Sequence, residues 1–192
     1  MQAARIGEPM KFKEFWKTYS REIAKLLTTH FALAIFSILC SSIFLVVEYT
    51  QTMKLVGVVI SLFVFAFYYY LVRSQMWNLG AKDKLKREGG RGKLNSLTGL
   101  YLGLIASIPS FLLNIVYIVS HTYHSYAGFQ DVYAVSYCIE LIWDAHAIGL
   151  RLATESPYAF LTASILPALF AGLAYYLGTK EFSLFGSKKT KE

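Results

Sequence analysis

Among the side chains between residues 121 and 146 that could bind a metal or move a proton are His121, His124, Cys138, Glu140, Asp144 and His146. In the stretch HTYH, two histidines stand three residues apart. With a carboxylate or a thiol, such a pair would suit zinc or copper. No dense ligand motif of the HExxH kind accompanies them, so neither a metal centre nor a cofactor is expected. Glu140 and Asp144 lie one helical turn apart and share a face. They would hold a cation, raise one another's pKa, or pair with Arg151 two turns further along; pairing is the expectation. No serine, cysteine or histidine sits in a recognisable nucleophile motif. No catalytic residue is therefore assigned, and the chain reads as non-enzymatic.

The elements that must position these groups are written in the apolar pattern. Of 192 residues, 55% are apolar and only 16% charged, against about a quarter charged in a soluble domain. Residues 26–47, 55–72, 96–120 and 157–179 contain no Asp, Glu, Lys or Arg. Each run has the length of about 18 residues or more that a membrane-spanning helix needs. The first reads as a retained span rather than a cleaved signal, because the run is long and no small-residue cleavage site follows it closely. Cys40 lies inside that run and reads as a small hydrophobe, with no reason to pair with Cys138.

Charge sets the orientation. Of the 19 Lys and Arg residues, 17 fall before the first run, between the second and third, or after the fourth; Lys54 and Arg151 are the other two. Basic loops stay in the cytoplasm, so both ends lie inside. The expected fold is an all-α, four-transmembrane-helix bundle forming a single membrane domain. Residues 1–30 are a cytoplasmic amphipathic N-terminus, with 31–49 the first span and 55–72 the second. A basic cytoplasmic loop covers 73–97, and span three covers 98–120. An outer loop with an amphipathic helix occupies 121–157, span four 158–178, and a basic tail 179–192. Partners implied are the bilayer, anionic headgroups beneath the basic segments, and a second membrane subunit or another copy. The pattern fits a bacterial inner membrane. The GRGK of the second loop is not a phosphate loop, since Arg87 and Leu94 stand where Gly and Ser or Thr are required. The basic residues already have a topological role, and no nucleic-acid binding is expected.

Residues 137–151, YCIELIWDAHAIGLR, are apolar yet carry Glu140, Asp144 and Arg151. A central Asp or Arg costs about 2.5–3.5 kcal/mol on the insertion scale, and a fifth span would put the basic tail outside. The segment is therefore expected on the outer side, interfacial or re-entrant. On a helical wheel Glu140, Asp144 and Arg151 form one charged stripe facing water or a polar bundle top, with His146 on the apolar side. Residues 11–27 carry Phe12, Phe15, Trp16, Tyr19 and Ile23 at steps of three and four, the mark of a helix lying on the cytoplasmic headgroups. Tyr68, Tyr69 and Tyr70 read as an interfacial aromatic belt.

Span three is the most informative segment. Gly99, Gly103, Ser107, Ser110, Asn114, Tyr117 and His121 line one face, opposite Leu, Ile, Phe and Val. Such a stripe must face protein or water. It reads as interhelix glue made of small and hydrogen-bonding residues, or as the wall of a solute path. His30, Ala34, Ser37, Ser41 and Glu48 form a matching line in span one, and Ser164, Ala168, Ala171 and Gly172 in span four. Pro109 and Pro167 interrupt their spans and should kink them. Three functions follow as expectations: a subunit or accessory of a larger transport-type assembly, a stand-alone small-solute carrier or channel, and an outer-face enzyme or metal protein.

Overall fold

The computed structural model describes residues 12–42, 50–90 and 95–180. The described residues are helical apart from short turns. Their α-helices are α1 (Phe12–Ser41), α2 (Gln51–Glu88), α3 (Thr98–Ala106), α4 (Ile108–Thr122), α5 (Phe129–Trp143), α6 (Ile148–Thr154) and α7 (Leu161–Thr179). Single 3₁₀ turns at Ala145–Ala147 and Pro157–Phe160 precede α6 and α7. Three helical segments are long and apolar enough to cross a membrane: Lys13–Ser41, Gln51–Glu88 and Pro157–Thr179. The pair α3 and α4, bent by 48°, makes a fourth if counted as one span. Large apolar side chains lie exposed along these helices, among them Leu55, Val59 and Leu62 on α2, Leu112 and Ile115 on α4, and Leu169 and Leu173 on α7. The chain is an integral membrane protein, and these faces meet lipid.

Two helices are longer than expected. Residues 11–27 are not a separate in-plane helix; from Phe12 onward they are the first half of α1. Tyr19, Ile23 and Leu26 are buried against the bundle instead of resting on headgroups. At 1.5 Å per residue α1 is about 45 Å long and α2 about 57 Å, against a hydrocarbon thickness of about 30 Å. The surplus of α2 takes up residues 73–88, expected as loop. Their apolar and small residues still recur at helical spacing, with Met76, Gly80 and Asp83 on the buried face. Lys86 and Arg87 complement the dipole at the C-terminus of α2. Thr50 caps its start by accepting from the Met53 amide. The expected end of span one at 43–49, including Glu48, lies outside the described residues, as do residues 1–11, 91–94 and the tail from 181.

Inside this extension, Asp83 is buried where three elements meet. The Tyr19 and Tyr175 hydroxyls both donate to its Oδ2, at 2.8 and 3.1 Å, and Lys86 Nζ lies 3.2 Å from Oδ1. Helix α7 lies close against α2 and α3, because Gly80, Gly99, Gly103 and Gly178 bring backbone into contact with backbone or Cβ. Pro109 sits in the first turn of α4, just past the break at Ser107, whereas α7 runs through Pro167 as one helix.

The segment 129–154 is a helical hairpin. Helix α5 begins after Gly128, whose φ of 89° is open to glycine at no steric cost. It packs antiparallel on α4: Ser120 meets Ser136 at 3.0 Å, Tyr117 stacks on Tyr137, and Ser110 meets Asp144. Helix α6 then runs back along α2, with Gly149 against the Gly57 backbone and Glu155 paired with Lys54. That pairing holds the Glu155 carboxyl below the usual carboxylate range. The single helix expected over 137–151 is therefore broken at 144–147, and its wheel does not continue. Glu140 and Asp144 are wholly buried, while Arg151 belongs to α6 and donates from Nε to the Tyr117 hydroxyl at 3.3 Å.

Candidate functional site

The tip of the hairpin carries its polar groups into the middle of the bundle. The Asp144 carboxylate accepts from Ser110 Oγ at 3.1 Å on Oδ1 and from Asn114 Nδ2 at 3.0 Å on Oδ2. The Asn114 amide also donates to the Ser110 carbonyl and to Ser164 Oγ, tying α4 to α7. His30 of α1 brings Nε2 to 3.2 Å from Asp144 Oδ1 and 3.2 Å from the Trp143 carbonyl. Its other nitrogen, Nδ1, lies 3.1 Å from the Tyr68 hydroxyl. Trp143 Nε1 donates to Ser110 Oγ at 2.9 Å. His146 stands edge-on to His30, with ring centroids 5.0 Å apart, between Phe65 and Tyr68.

Several of these groups are unsatisfied. Neither His146 nitrogen makes a hydrogen bond; the Ala163 backbone is near the ring but outside hydrogen-bonding geometry. Both Glu140 oxygens and Asn114 Oδ1 are likewise buried without partners. A buried polar atom left without a partner costs about 1–3 kcal/mol, so this core is not built for stability alone.

Among the described residues, His30, Asp144 and His146 form a group of metal-type donors, their ligating atoms all within 4.8 Å of one another. Ser110, His30 and Asp144 are also the residue types of a hydrolase triad. Their arrangement is different. Such a triad places the carboxylate on one imidazole nitrogen and the serine on the other. Here both approach His30 Nε2, Ser110 at 3.5 Å, while Nδ1 faces Tyr68. A serine relay is not set up.

The sequence-derived stripe divides between two tasks. Ser110 and Asn114 are at the centre, and Ser107 lies at the bend beside it. Tyr117 belongs to an aromatic stack with Tyr133 and Tyr137, and His121 joins that stack edge-on to Tyr133. His124 turns its Nδ1 to the His121 carbonyl at 2.6 Å. The His121 and His124 pair stays at the C-terminal end of α4, apart from the cluster of His30, Asp144 and His146. Ser37 is buried and donates to the Leu33 carbonyl of its own helix; Ser41 is buried at the end of α1. Tyr68, expected in an interfacial aromatic belt, is buried on His30, whereas Tyr70 is exposed. His30, from the matching line of span one, and His146, from the candidate ligand types, are thus brought together at the centre, and Tyr68 is the member that the sequence pattern did not indicate. The two histidines carried a further signal, since such residues are costly to keep in apolar stretches.

By fold and site, this is an all-helical membrane protein with an ionisable cluster buried among its helices. Compared with known proteins, the chain matches no family model, no curated protein and no solved structure.

Proposed function

We propose that the chain is a non-enzymatic, transport-type membrane protein whose buried centre binds a cation. One observation carries this reading: Asp144, Glu140, His30 and His146 are all buried within an apolar bundle, Asp144 and His30 with partners from α1, α2 and α4 and the other two without any. Apolar side chains would fill the same volume at less cost, and ionisable groups held at this depth mark ion or proton paths. In this reading four spans, both ends cytoplasmic, enclose hairpin 129–154 as a re-entrant element. Ser110 lies midway along the bent third span, so Asp144 beside it reaches mid-bilayer. Lys54, Arg151 and Glu155 gather at the hairpin's open end, consistent with the outer face. The distribution of the other basic residues supports insertion in a plasma membrane, as in a bacterial inner membrane.

The test is cation flux into proteoliposomes of the purified chain, read with a trapped pH dye and a trapped divalent-ion dye. Wild type should move a cation above protein-free vesicles, and Asp144→Asn should not. Wild-type flux equal to that of empty vesicles would reject the reading.

A second reading, that the chain serves as a subunit or accessory of a larger transport assembly, has its own support. Beyond lipid length, α1 and α2 expose Lys13, Lys17, Arg21, Lys25, Lys82, Lys86 and Arg87, a surface for an acidic partner or for anionic headgroups. Mild extraction from native membranes followed by intact-complex mass should then show a stoichiometric second chain. Copies of this chain alone would remove the subunit reading.

A further inference from the structure

We propose that the centre is a transition-metal site, with His30, Asp144 and His146 as protein ligands and zinc as the metal. The inference rests on reading the centre as a cation site, and it names the cation.

Donor chemistry comes first. Two imidazoles and one carboxylate suit zinc and its neighbours in the first transition row, whereas magnesium and calcium ask for six or more oxygens. Distance comes second. Zinc held at about 2.0–2.1 Å by nitrogen and oxygen in a tetrahedron places its donors about 3.3 Å apart. His30 Nε2 and Asp144 Oδ1 are already 3.2 Å apart, and the widest separation in the trio is within 4.8 Å. Closing the rest requires a shift of about 1.5 Å at most, within the range of a His146 side-chain rotation.

The unpartnered nitrogens of His146 are the independent sign of a ligand. This side chain is 1% exposed, and it stands edge-on to His30 with a lone pair that no protein donor satisfies. The outer shell matches as well. A metal-bound imidazole is normally held by a hydrogen bond from its other nitrogen, and His30 Nδ1 faces the Tyr68 hydroxyl at 3.1 Å. The carboxylate is oriented by Ser110 and Asn114, one on each oxygen. Three protein ligands leave one tetrahedral position open, the pattern of exchangeable and reactive zinc rather than of a closed structural site.

The experiment uses the full chain in mild detergent, stripped with chelator and dialysed against Zn²⁺. Elemental analysis should give one zinc per chain, Zn²⁺ should raise the melting temperature, and Mg²⁺ and Ca²⁺ should do neither. His146→Gln should lose the metal. A double variant, His121→Gln with His124→Gln, should keep it. Tyr68→Phe should keep the stoichiometry and weaken affinity by about 10–100-fold, the usual effect of removing an outer-shell partner. Zinc retained by His146→Gln, or lost with the outer pair, would overturn the assignment, as would no zinc on wild type. If His146→Gln does not fold, Co²⁺ on wild type decides: intense visible bands of a four-coordinate site support the proposal, and their absence refutes it. One bound zinc without flux in vesicles would keep the metal site and reject transport. Asp144-dependent proton flux without zinc binding would do the reverse.

Discussion

Gly149→Ala probes the contact that seats the hairpin. A Cβ at this position would overlap the Gly57 carbonyl deeply and stand 2.7 Å from Ser61 Oγ. The Gly57 side of the contact is main chain, with no side chain to rotate away. Helix α6 would have to lift from α2 by more than about 1 Å to restore ordinary contact, in an interior that packs like a crystal. Two effects oppose one another. Alanine is the better helix former by about 0.5–1 kcal/mol. Overpacking costs about 1–3 kcal/mol and more when backbone must move. The clash wins, for a net loss of about 2 kcal/mol at the upper end of the overpacking range. For a chain of this size that lowers the melting temperature by about 4–8 °C. Thermal unfolding in detergent, followed by circular dichroism, is the assay. Gly172→Ala is the graded control: its Cβ would meet Leu100 Cβ at 3.1 Å and Cα at 3.3 Å, so a few tenths of an ångström suffice. It should lose less. Because α6 follows directly on the turn holding His146, Gly149→Ala should also impair whatever the centre binds. A Gly149→Ala protein that melts with wild type would refute the docking of α6 on α2.

Asp83→Leu removes the acceptor of two buried tyrosine hydroxyls and should cost about 3 kcal/mol in the same unfolding assay. Tyr19→Phe and Tyr175→Phe, which share Asp83 Oδ2, should be non-additive when combined; strict additivity would mean that they do not act through one acceptor. Lys54→Ala breaks an exposed pair with Glu155 and should leave the melting temperature unchanged, since solvent screens such pairs.

How much of this was written in the sequence depends on which forces decide each feature. Long uncharged runs show directly as apolar helices, because backbone groups in lipid must be bonded within the segment. The break near Pro109 is also legible, since proline removes a helical hydrogen bond. The ends of α1 and α2 were less so. Lys and Arg between apolar runs read as loop, yet Met76, Gly80 and Asp83 give residues 73–88 a buried face that only tertiary packing against α7 reveals. Of the centre, the stripes of spans one, three and four supplied His30, Ser110, Asn114 and Ser164, but not that Asp144 and His146 would join them. His30 and Asp144 are 114 residues apart, and no spacing rule joins them.

The hairpin shows what a helical wheel caught and what it missed. A wheel over 137–151 assumes one unbroken helix and places Glu140, Asp144 and Arg151 on one stripe, toward water or a polar bundle top. In the structure Val132, Val135, Ile139 and Ile142 of α5 are exposed, while Ser136, Glu140 and Asp144 are buried. The amphipathic pattern is real, and its polar side meets protein rather than water: in lipid, the apolar side is the outside, and the polar side must find protein. Asp144 finds Ser110 and Asn114, and the break directly after it turns His146 inward toward His30. The same three residues that made the segment look unfit for the bilayer interior are explained once the helix is allowed to break at 144–147. Two of them serve the buried centre, and Arg151 is left to tie the returning helix to Tyr117.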